Sequence, residues 1–176
     1  MSKVVIVSSS MRKGNSDILC DEFHRGLIES DNIVNRINLR EKNIKFCFGC
    51  SMCLERGECS TDDDMKALLD IVKEADIIAF ATPVYFGDIS GQLKVFIDRL
   101  YPIYTKLKAK KVIVIASCYQ NIKKFIKASI HSIRAFLKDA GNIKLDKIIY
   151  GENTDEVGDV SDKQRHLAYM CGKKIK

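Results

Sequence analysis

The stretch that decides the fold is KVVIVSSSMRKGNS, Lys3–Ser16. Its start, Lys3–Val7, contains an unbroken run of apolar β-branched residues, which is typical of a buried strand. After it, the apolar residues Ile18, Leu19 and Phe23 recur at helical spacing. The chain therefore leaves a strand, crosses a hydroxyl-rich loop and enters a helix. Backbone N–H groups and the positive end of a helix dipole meet at such a loop, so we expect it to bind a phosphate.

The loop also carries side chains that suit an anion. Ser8, Ser10 and Ser16 supply hydroxyl groups, and Arg12 supplies a planar guanidinium group that stays positively charged. Neither G-x-G-x-x-G nor G-x-x-x-x-G-K-[ST] is present, so the dinucleotide and P-loop fingerprints do not apply. The alternative is an ordinary strand–helix connection in which Ser16 is the N-cap.

Strand-like and helix-like patterns alternate along the rest of the chain. Further strands are predicted at 33–39, 75–81, 111–117 and 144–150, and helices at 16–30, from 62 onward, 91–100, 122–140 and 162–175. This pattern predicts one α/β domain over residues 1–176, a flavodoxin-like three-layer sandwich with a five-stranded parallel sheet in the order 2-1-3-4-5. In that order the loops after the first and third strands, the latter predicted at 82–88, meet at one ligand-binding crevice.

Composition limits the classes of function. The chain has 176 residues, of which 46% are hydrophobic, and a net charge of +6. No nucleic-acid-binding motif accompanies the positive charge, so we interpret it as a solvated basic face and expect no nucleic-acid partner. No apolar run has the length of a membrane span or the pattern of a signal peptide, which predicts a cytoplasmic protein that does not contact membranes.

Four of the seven cysteines fall within thirteen residues, at Cys47, Cys50, Cys53 and Cys59. In a reducing cytosol, such a cluster indicates a metal or redox site rather than a disulfide framework. The spacing C-x2-C-x2-C-x5-C suits a [4Fe–4S] cluster, because consecutive thiolates must reach different corners of a small cube. A tetrahedral zinc ion, free thiols and a redox disulfide are the alternatives.

Three segments resemble the flavodoxin-like NADPH-dependent FMN reductase family, in particular its iron–sulfur flavoproteins. They are the loop Ser9–Ser16, the cysteine segment Cys47–Cys59 with Asp63-Asp64-Met65 after it, and Thr82–Gly87 with Ser90–Lys94 and Phe96–Arg99. In the first segment Ser9 replaces the family's glycine and one residue is missing. After the fourth strand, Ser117–Gln120 stands where the family usually has a glycine-containing loop.

The resemblance implies FMN as the cofactor and NAD(P)H as a transient donor. The residues that it assigns to the FMN phosphate are Ser8, Ser10, Arg12, Asn15 and Ser16, and those along the isoalloxazine ring are Thr82, Pro83, Val84, Tyr85, Phe86 and Gly87. Backbone N–H groups of the second set would bind the polar edge of the ring and tune its electronics. We therefore expect no catalytic acid or base among the side chains.

We carry three hypotheses for the function, from different classes. The first is an FMN-dependent oxidoreductase that passes electrons from a nicotinamide, or from a ferredoxin, to quinones, flavins, azo or nitro compounds, or oxygen. The second is a flavodoxin-like electron carrier that serves a redox-protein partner, and a binding or regulatory domain is the third. The resemblance also implies a homodimer or homotetramer, to which the segment Tyr101–Lys111 would contribute.

Overall fold

Strands and helices alternate in the computed structural model, which describes residues 1–120, 129–141 and 143–176. The strands are β1 (Lys3–Ser8), β2 (Ile33–Asn38), β3 (Ile77–Tyr85), β4 (Asp88–Ile89), β5 (Lys111–Ser117) and β6 (Lys144–Gly151). The helices are α1 (Asn15–Ile28), α2 (Met52–Arg56), α3 (Met65–Lys73), α4 (Gly91–Asp98), α5 (His131–Asp139) and α6 (Asp162–Lys173). Short 3₁₀ turns lie at Leu39–Glu41 and Tyr104–Lys106.

Five strands form a parallel sheet in the order β2-β1-β3-β5-β6. This confirms the predicted arrangement of the parallel strands. The sixth strand, β4, was not predicted; it pairs antiparallel with the end of β3 and forms a hairpin beside the sheet. Because all five main strands run the same way, the loops that follow them open at one edge.

Each face of the sheet is covered by helices. On β1, Val5 and Val7 face a core that contains Met65 of α3 and Leu93 of α4. The alternate residues of β1 face a second core, built with α1 and α6. A strand buried on both faces needs apolar residues at every position, which explains the unbroken run at the start of the chain.

Helices α1 and α6 cross with their backbones in contact. A Cβ atom on Gly26 would lie 2.1 Å from the carbonyl oxygen of Tyr169, and one on Gly172 would lie 2.1 Å from that of Phe23. Only glycine allows this approach, and it fixes α1, whose first turn faces the loop after β1.

Several predicted boundaries were wrong. The loop predicted at 82–88 is strand up to Tyr85, because Thr82 and Pro83 pair with β5 and Val84 pairs with β4. The helix predicted from residue 62 begins at Met65, whose backbone N–H binds the carboxylate of Asp63 at 3.0 Å.

Other elements are shorter than predicted or were missed. The helices predicted at 91–100 and 162–175 end at Asp98 and Lys173, and the short helix α2 lies in a segment with no helical period. Of the helix predicted at 122–140, residues 122–128 lie outside the described residues. Among the described helices, none combines the length and apolar character that a membrane span requires.

Candidate functional site

A cavity of about 690 Å³ opens at the carboxyl edge of the sheet. It is lined by four chain segments, each at or just after the carboxyl end of a parallel strand: Ser10, Arg12, Gly14, Asn15 and Ser16; Pro83–Gly87; Ser117–Gln120; and Thr154 with Asp155. The first two segments are the ones predicted to form one crevice. The structure thus brings together nine of the eleven side chains predicted to bind the cofactor, with Ser8 and Thr82 excepted.

One end of the cavity is the amino terminus of α1. Gly14 is the N-cap, and no side chain caps this helix, whereas Ser90 and Ser161 cap α4 and α6. The interpretation of Ser16 as the N-cap is therefore wrong, since Ser16 lies inside the helix. The first N–H groups of a helix have no intrahelical partner, so an uncapped terminus that faces a cavity is suited to an anion.

Ser8 supports this loop from behind instead of facing the cavity. Its hydroxyl donates to the buried carboxylate of Asp17 at 2.5 Å. The same carboxylate accepts from Arg36 at 3.3 Å and from Arg40 at 2.7 Å. Arg40 also donates to the carbonyl oxygen of Ser10 at 3.4 Å, so this network ties the loop to the end of β2.

Asn15 connects the loop to the opposite wall of the cavity. Its amide nitrogen donates to the carbonyl oxygens of Thr154 at 3.4 Å and Glu156 at 2.7 Å. Its amide oxygen accepts from the backbone N–H of Gly158 at 2.8 Å. Both ends of this side chain are therefore engaged in holding the segment after β6 against α1.

The hairpin between β3 and β4 forms the other end of the cavity. Its turn residues Phe86 and Gly87 have φ of +49° and +81°, as in a type I′ turn. Phe86 is fully exposed and Tyr85 is half exposed. The hydroxyl of Thr82 points away from the cavity: it donates to the carbonyl oxygen of Pro83 and accepts from the N–H of Ser90.

These features fit FMN. The ligand has a phosphate at one end and a flat ring system at the other, and the cavity has an uncapped helix terminus at one end and aromatic side chains at the other. The volume lies within the usual range of roughly 300–1,000 Å³ for sites of this size. The exposed guanidinium of Arg12 lines the cavity at the end of α1, where it can contact a phosphate.

The four clustered cysteines lie in residues 46–61, where Cys47 and Cys50 are exposed and Cys53 and Cys59 are half-buried. Hydrogen bonds, first from the Met52 backbone N–H and then from Ser60, lower the pKa of Cys50. Burial raises the pKa of Cys53, and the neighbouring thiols of Cys59, Cys47 and Cys50 act in the same direction.

The four thiols do not form a ready-made coordination sphere. Within residues 1–120, 129–141 and 143–176, no three His, Cys, Asp or Glu side chains converge closely enough to hold a metal ion. The chemistry of the donor set nevertheless fits an iron–sulfur cluster, since four unpaired thiols, two exposed and two half-buried, lie on one short segment. The other three cysteines are buried, and burial raises the pKa of Cys20 to about 12, as expected of inert core thiols.

A second cavity, of about 680 Å³, separates the cysteine segment from α4 and α5. Cys47, Cys50, Cys53 and Cys59 all line it. The stacked rings of Tyr101 and Tyr104, 5.1 Å apart, form part of the opposite wall.

A family model described as NADPH-dependent FMN reductase matches residues 1–137. The chain belongs to this family. The match covers the loop after β1, the cysteine segment and the β3–β4 hairpin, which are the segments that carry the resemblance seen in the sequence.

Two curated relatives are iron–sulfur flavoproteins. The one from Archaeoglobus fulgidus is 37% identical over 102 residues, which make up 58% of this chain and 46% of the relative. The one from Methanocaldococcus jannaschii is 40% identical over 102 residues, or 57% and 53% of the two chains. This member of the FMN reductase family therefore spans about half the length of the curated relatives that it matches.

Solved structures of the same architecture are more distant in sequence. An NAD(P)H:quinone oxidoreductase from Methanothermobacter marburgensis matches 99% of both chains with a TM-score of 0.75 at 15% identity. An azoreductase from Bacillus anthracis matches with a TM-score of 0.74 at 16% identity, covering 99% of this chain and all of the other. At these identities the likeness shows a shared fold alone.

Sequence reasoning missed part of the cavity wall in this FMN reductase family member. Thr154 and Asp155 lie in the irregular segment after β6, which has no apolar period and no motif. The only available signal was topological, because a segment that follows a parallel strand must open at the ligand-binding edge. By the same rule Cys118, Tyr119 and Gln120, which follow β5, line the cavity where the family's glycine-containing loop was expected.

Proposed function

We propose that this chain binds FMN in the cavity at the carboxyl edge of the sheet. Ser10, Arg12 and Ser16 hold the phosphate together with the first N–H groups of α1. The isoalloxazine ring lies along Pro83–Gly87, with Tyr119 on the side that follows β5. The observation that carries this proposal is the single cavity in which an uncapped helix terminus faces an aromatic hairpin.

The protein contributes to the chemistry by positioning FMN and by separating part of it from bulk solvent. FMN, when bound, supplies the redox chemistry by accepting two electrons together and releasing them together or singly. Backbone N–H groups of the hairpin turn bind the polar edge of the ring. Ser8 and Thr82 act behind this surface, and Asn15 lies on it; the hydrogen bonds of all three fix the loop and the two walls. None of these groups is required to move a proton as a catalytic acid or base.

We infer that the chain is an FMN-dependent oxidoreductase that uses NAD(P)H and reduces a small acceptor such as a quinone. Membership of the NADPH-dependent FMN reductase family supports the donor and the cofactor. The neighbours in fold include proteins named quinone oxidoreductase and azoreductase, which supports acceptors of that kind. The open cavity, rimmed by exposed Tyr85, Phe86 and Tyr119, leaves room for a planar acceptor against the ring.

We also propose that Cys47, Cys50, Cys53 and Cys59 hold a [4Fe–4S] cluster. The four cysteines of the donor set, two of them exposed, and the names of the curated relatives support this assignment. An exposed one-electron centre favours a second function, that of an electron carrier for a redox-protein partner. The two functions differ in one measurable property, the rate at which NADH or NADPH alone bleaches the flavin.

The assembly and the compartment are part of the same proposal. We expect a homodimer or homotetramer in which residues 101–111 contact a neighbouring subunit. The half-exposed ring of Tyr101, stacked on Tyr104 beside α4, supports this choice of surface. Seven unpaired cysteines support a reducing compartment, which we take to be the cytoplasm.

The phosphate assignment is tested with Arg12→Ala, with Lys13→Ala as the matched control. Both residues are exposed basic side chains of the same loop, but only Arg12 lines the cavity. A charge-assisted hydrogen bond contributes about 1.5–3 kcal/mol, so we expect the FMN Kd of Arg12→Ala to rise by at least about tenfold. Quenching of flavin fluorescence measures both Kd values. Equal Kd values in the two variants would show that the phosphate does not bind to this loop.

The cofactor content is tested by anaerobic purification, an absorption spectrum, and iron and acid-labile sulfide analysis. Flavin bands above a broad brown shoulder, with about four irons per chain, are the expected result. Flavin bands without iron after reconstitution would overturn the assignment of the four cysteines to a cluster and would leave a simple FMN reductase. No flavin in either preparation would overturn the proposed function as a whole.

A further inference from the structure

Ser9 is a buried residue that fastens the loop after β1 to the neighbouring strand β3. It is fully buried, and it lies between the end of β1 and Ser10, which lines the cavity at the carboxyl edge of the sheet. Its backbone N–H donates to the carbonyl oxygen of Ala81 at 2.9 Å, and its hydroxyl group donates to the same oxygen at 3.0 Å. These two bonds fix the point at which the loop begins.

Ser90, which follows β4, reaches the same point from the hairpin. It is fully buried, and its hydroxyl group donates to Oγ of Ser9 at 2.8 Å. The direction of this bond is fixed, because Ser9 has one hydroxyl proton and gives it to the carbonyl oxygen of Ala81. The Oγ of Ser90 also accepts from the N–H of Leu93 at 3.3 Å, which caps α4. The side chain that caps α4 is therefore held by the loop after β1.

Thr82 extends this connection along the hairpin. The residue is 1% exposed, and its hydroxyl group accepts from the N–H of Ser90 at 3.0 Å and donates to the carbonyl oxygen of Pro83 at 2.8 Å. Pro83 is the first residue of β3 that lines the cavity. A continuous series of hydrogen bonds therefore runs from Ser9, through Ser90 and Thr82, to the wall formed by the hairpin.

The three hydroxyl groups of this series lie where water does not replace a lost partner, since each residue is at most 1% exposed. A buried donor that loses its acceptor loses more free energy than one at the surface, and hydrogen bonds in a series strengthen one another. Ser9 also stands where the pattern of the FMN reductase family has glycine, which carries no hydroxyl group. The link through Ser9 is therefore a feature of this chain that the family pattern does not contain.

We propose that Ser9 is a positioning residue that couples the two ends of the FMN cavity, so that an anion at the loop raises the affinity of the hairpin for the flavin ring. This inference rests on the proposed function, which places the phosphate at the loop and the ring along Pro83–Gly87. Two ligands are coupled when both act on the same structural element. An anion that orders the loop also orders Ser9 and, through Ser90, the hairpin, so a ring that binds afterwards loses less conformational entropy. The coupling favours FMN over riboflavin.

The test uses the two parts of the cofactor as separate probes, riboflavin for the ring and inorganic phosphate for the anion. Fluorescence quenching measures the riboflavin Kd of the full chain in its flavin-free form, with saturating phosphate and with sodium chloride at the same ionic strength. The ratio of these two Kd values is compared among the wild type, Ser9→Ala and Ser30→Ala. Ser30→Ala is the matched control, because the Ser30 hydroxyl donates to the carbonyl oxygen of Lys173 at 2.7 Å and does not line the cavity.

We expect phosphate to lower the riboflavin Kd of the wild type and of Ser30→Ala about fivefold, which is about 1 kcal/mol at about 1.4 kcal/mol per tenfold change and is the net contribution of one hydrogen bond. In Ser9→Ala, phosphate should leave the riboflavin Kd nearly unchanged. A general loss of stability changes both Kd values of a variant together, so their ratio measures coupling. A wild-type ratio in Ser9→Ala, or no effect of phosphate on the wild type, overturns the inference.

A second measurement leaves Ser9 in place, so it decides the inference even if Ser9→Ala does not fold. Inorganic phosphate is added to the ¹⁵N-labelled wild type, and the backbone N–H signals are followed by nuclear magnetic resonance. The signals of Ser90 and Leu93, whose N–H groups bond within the series, should shift with the same midpoint as those of Asn15 and Ser16.

The outcomes of this titration separate the two proposals. Shifts at Asn15 and Ser16 without shifts at Ser90 and Leu93 overturn the inference and leave the phosphate assignment intact. Failure of the wild type to bind FMN overturns the proposed function together with this inference, so the two failures are distinguishable.

Discussion

Replacing Phe86 with asparagine should stabilise the protein. Phe86 has a φ of +49°, in the left-handed region, and its ring is fully exposed, so no buried area is lost on its removal. The left-handed conformation costs a bulky residue about 1–2 kcal/mol, and Asn-Gly is the favoured pair for a turn of this type. We expect a gain of about 1 kcal/mol, which corresponds to a rise in Tm of about 2–4 °C for a chain of this size.

The assay is urea unfolding of the flavin-free protein, with Phe86→Leu as the control. Leucine keeps the strained conformation and an apolar side chain, so its denaturation midpoint should stay at the wild-type value. Phe86→Asn should raise the midpoint without changing the slope. If the asparagine variant is no more stable than the leucine variant, the turn is not strained and the reasoning is refuted.

The same substitution should weaken the flavin site. Aromatic contacts contribute about 0.5–1.5 kcal/mol beyond the area they bury, which converts to an increase in the FMN Kd of about two- to twelvefold. A stabilising change that reduces binding is the expected signature of strain kept at a functional position. Unchanged affinity would show that Phe86 does not contact the ring.

Three further substitutions test how the site is supported. Asp63→Asn leaves Arg99 as an unpaired buried charge and should cost about 3–5 kcal/mol in urea unfolding at pH 7. Burial opposes ionisation of Asp63, but hydrogen bonds from Arg99 and two backbone N–H groups lower its pKa. The stability contributed by Asp63 is therefore present above the unfolded pKa of about 4 and is lost as the pH falls through the folded pKa, and the asparagine variant should lack this acid dependence. Gly26→Ala should cost more than about 2 kcal/mol because its Cβ would overlap the backbone of α6, whereas Gly91→Ala, which meets no atom within 4 Å, should be neutral within about 0.5 kcal/mol. Asn15→Ala removes three hydrogen bonds to the segment after β6, so amide exchange at residues 154–158 should accelerate, and exchange rates equal to the wild type would show that this side chain does not hold the wall.

The sequence alone predicted those elements whose pattern of apolar residues is contained within one strand or one helix. The apolar run before Ser8 and the helical period after Gly14 identified a strand, a loop and a helix, because each pattern is contained within one element. The parallel order followed from the alternation of strands and helices and from the connection rules of such sheets.

What the sequence could not predict depends on contacts between distant segments. Strand β3 runs on to Tyr85 because β4 and β5 pair with its last residues, and no pattern within β3 indicates that pairing. Ser8 lies in the predicted phosphate loop, yet its hydroxyl turns to Asp17, which only the packing of α1 against the sheet determines. The wall at Thr154 depends on Asn15, more than a hundred residues away in the chain.

The anchoring of the cysteine segment has a consequence for how such proteins diversify. No residue of α2 is buried, and Arg99 binds the carboxylate of Asp63 and the carbonyl oxygen of Lys45, which flank the segment, through contacts that involve none of the four cysteine sulfurs. Point changes between Lys45 and Asp63 should therefore leave the sheet undisturbed. On the proposed cluster assignment, a lineage built on this scaffold can gain or lose a one-electron centre through a few side chains of this segment, while the rest of the chain evolves under other demands.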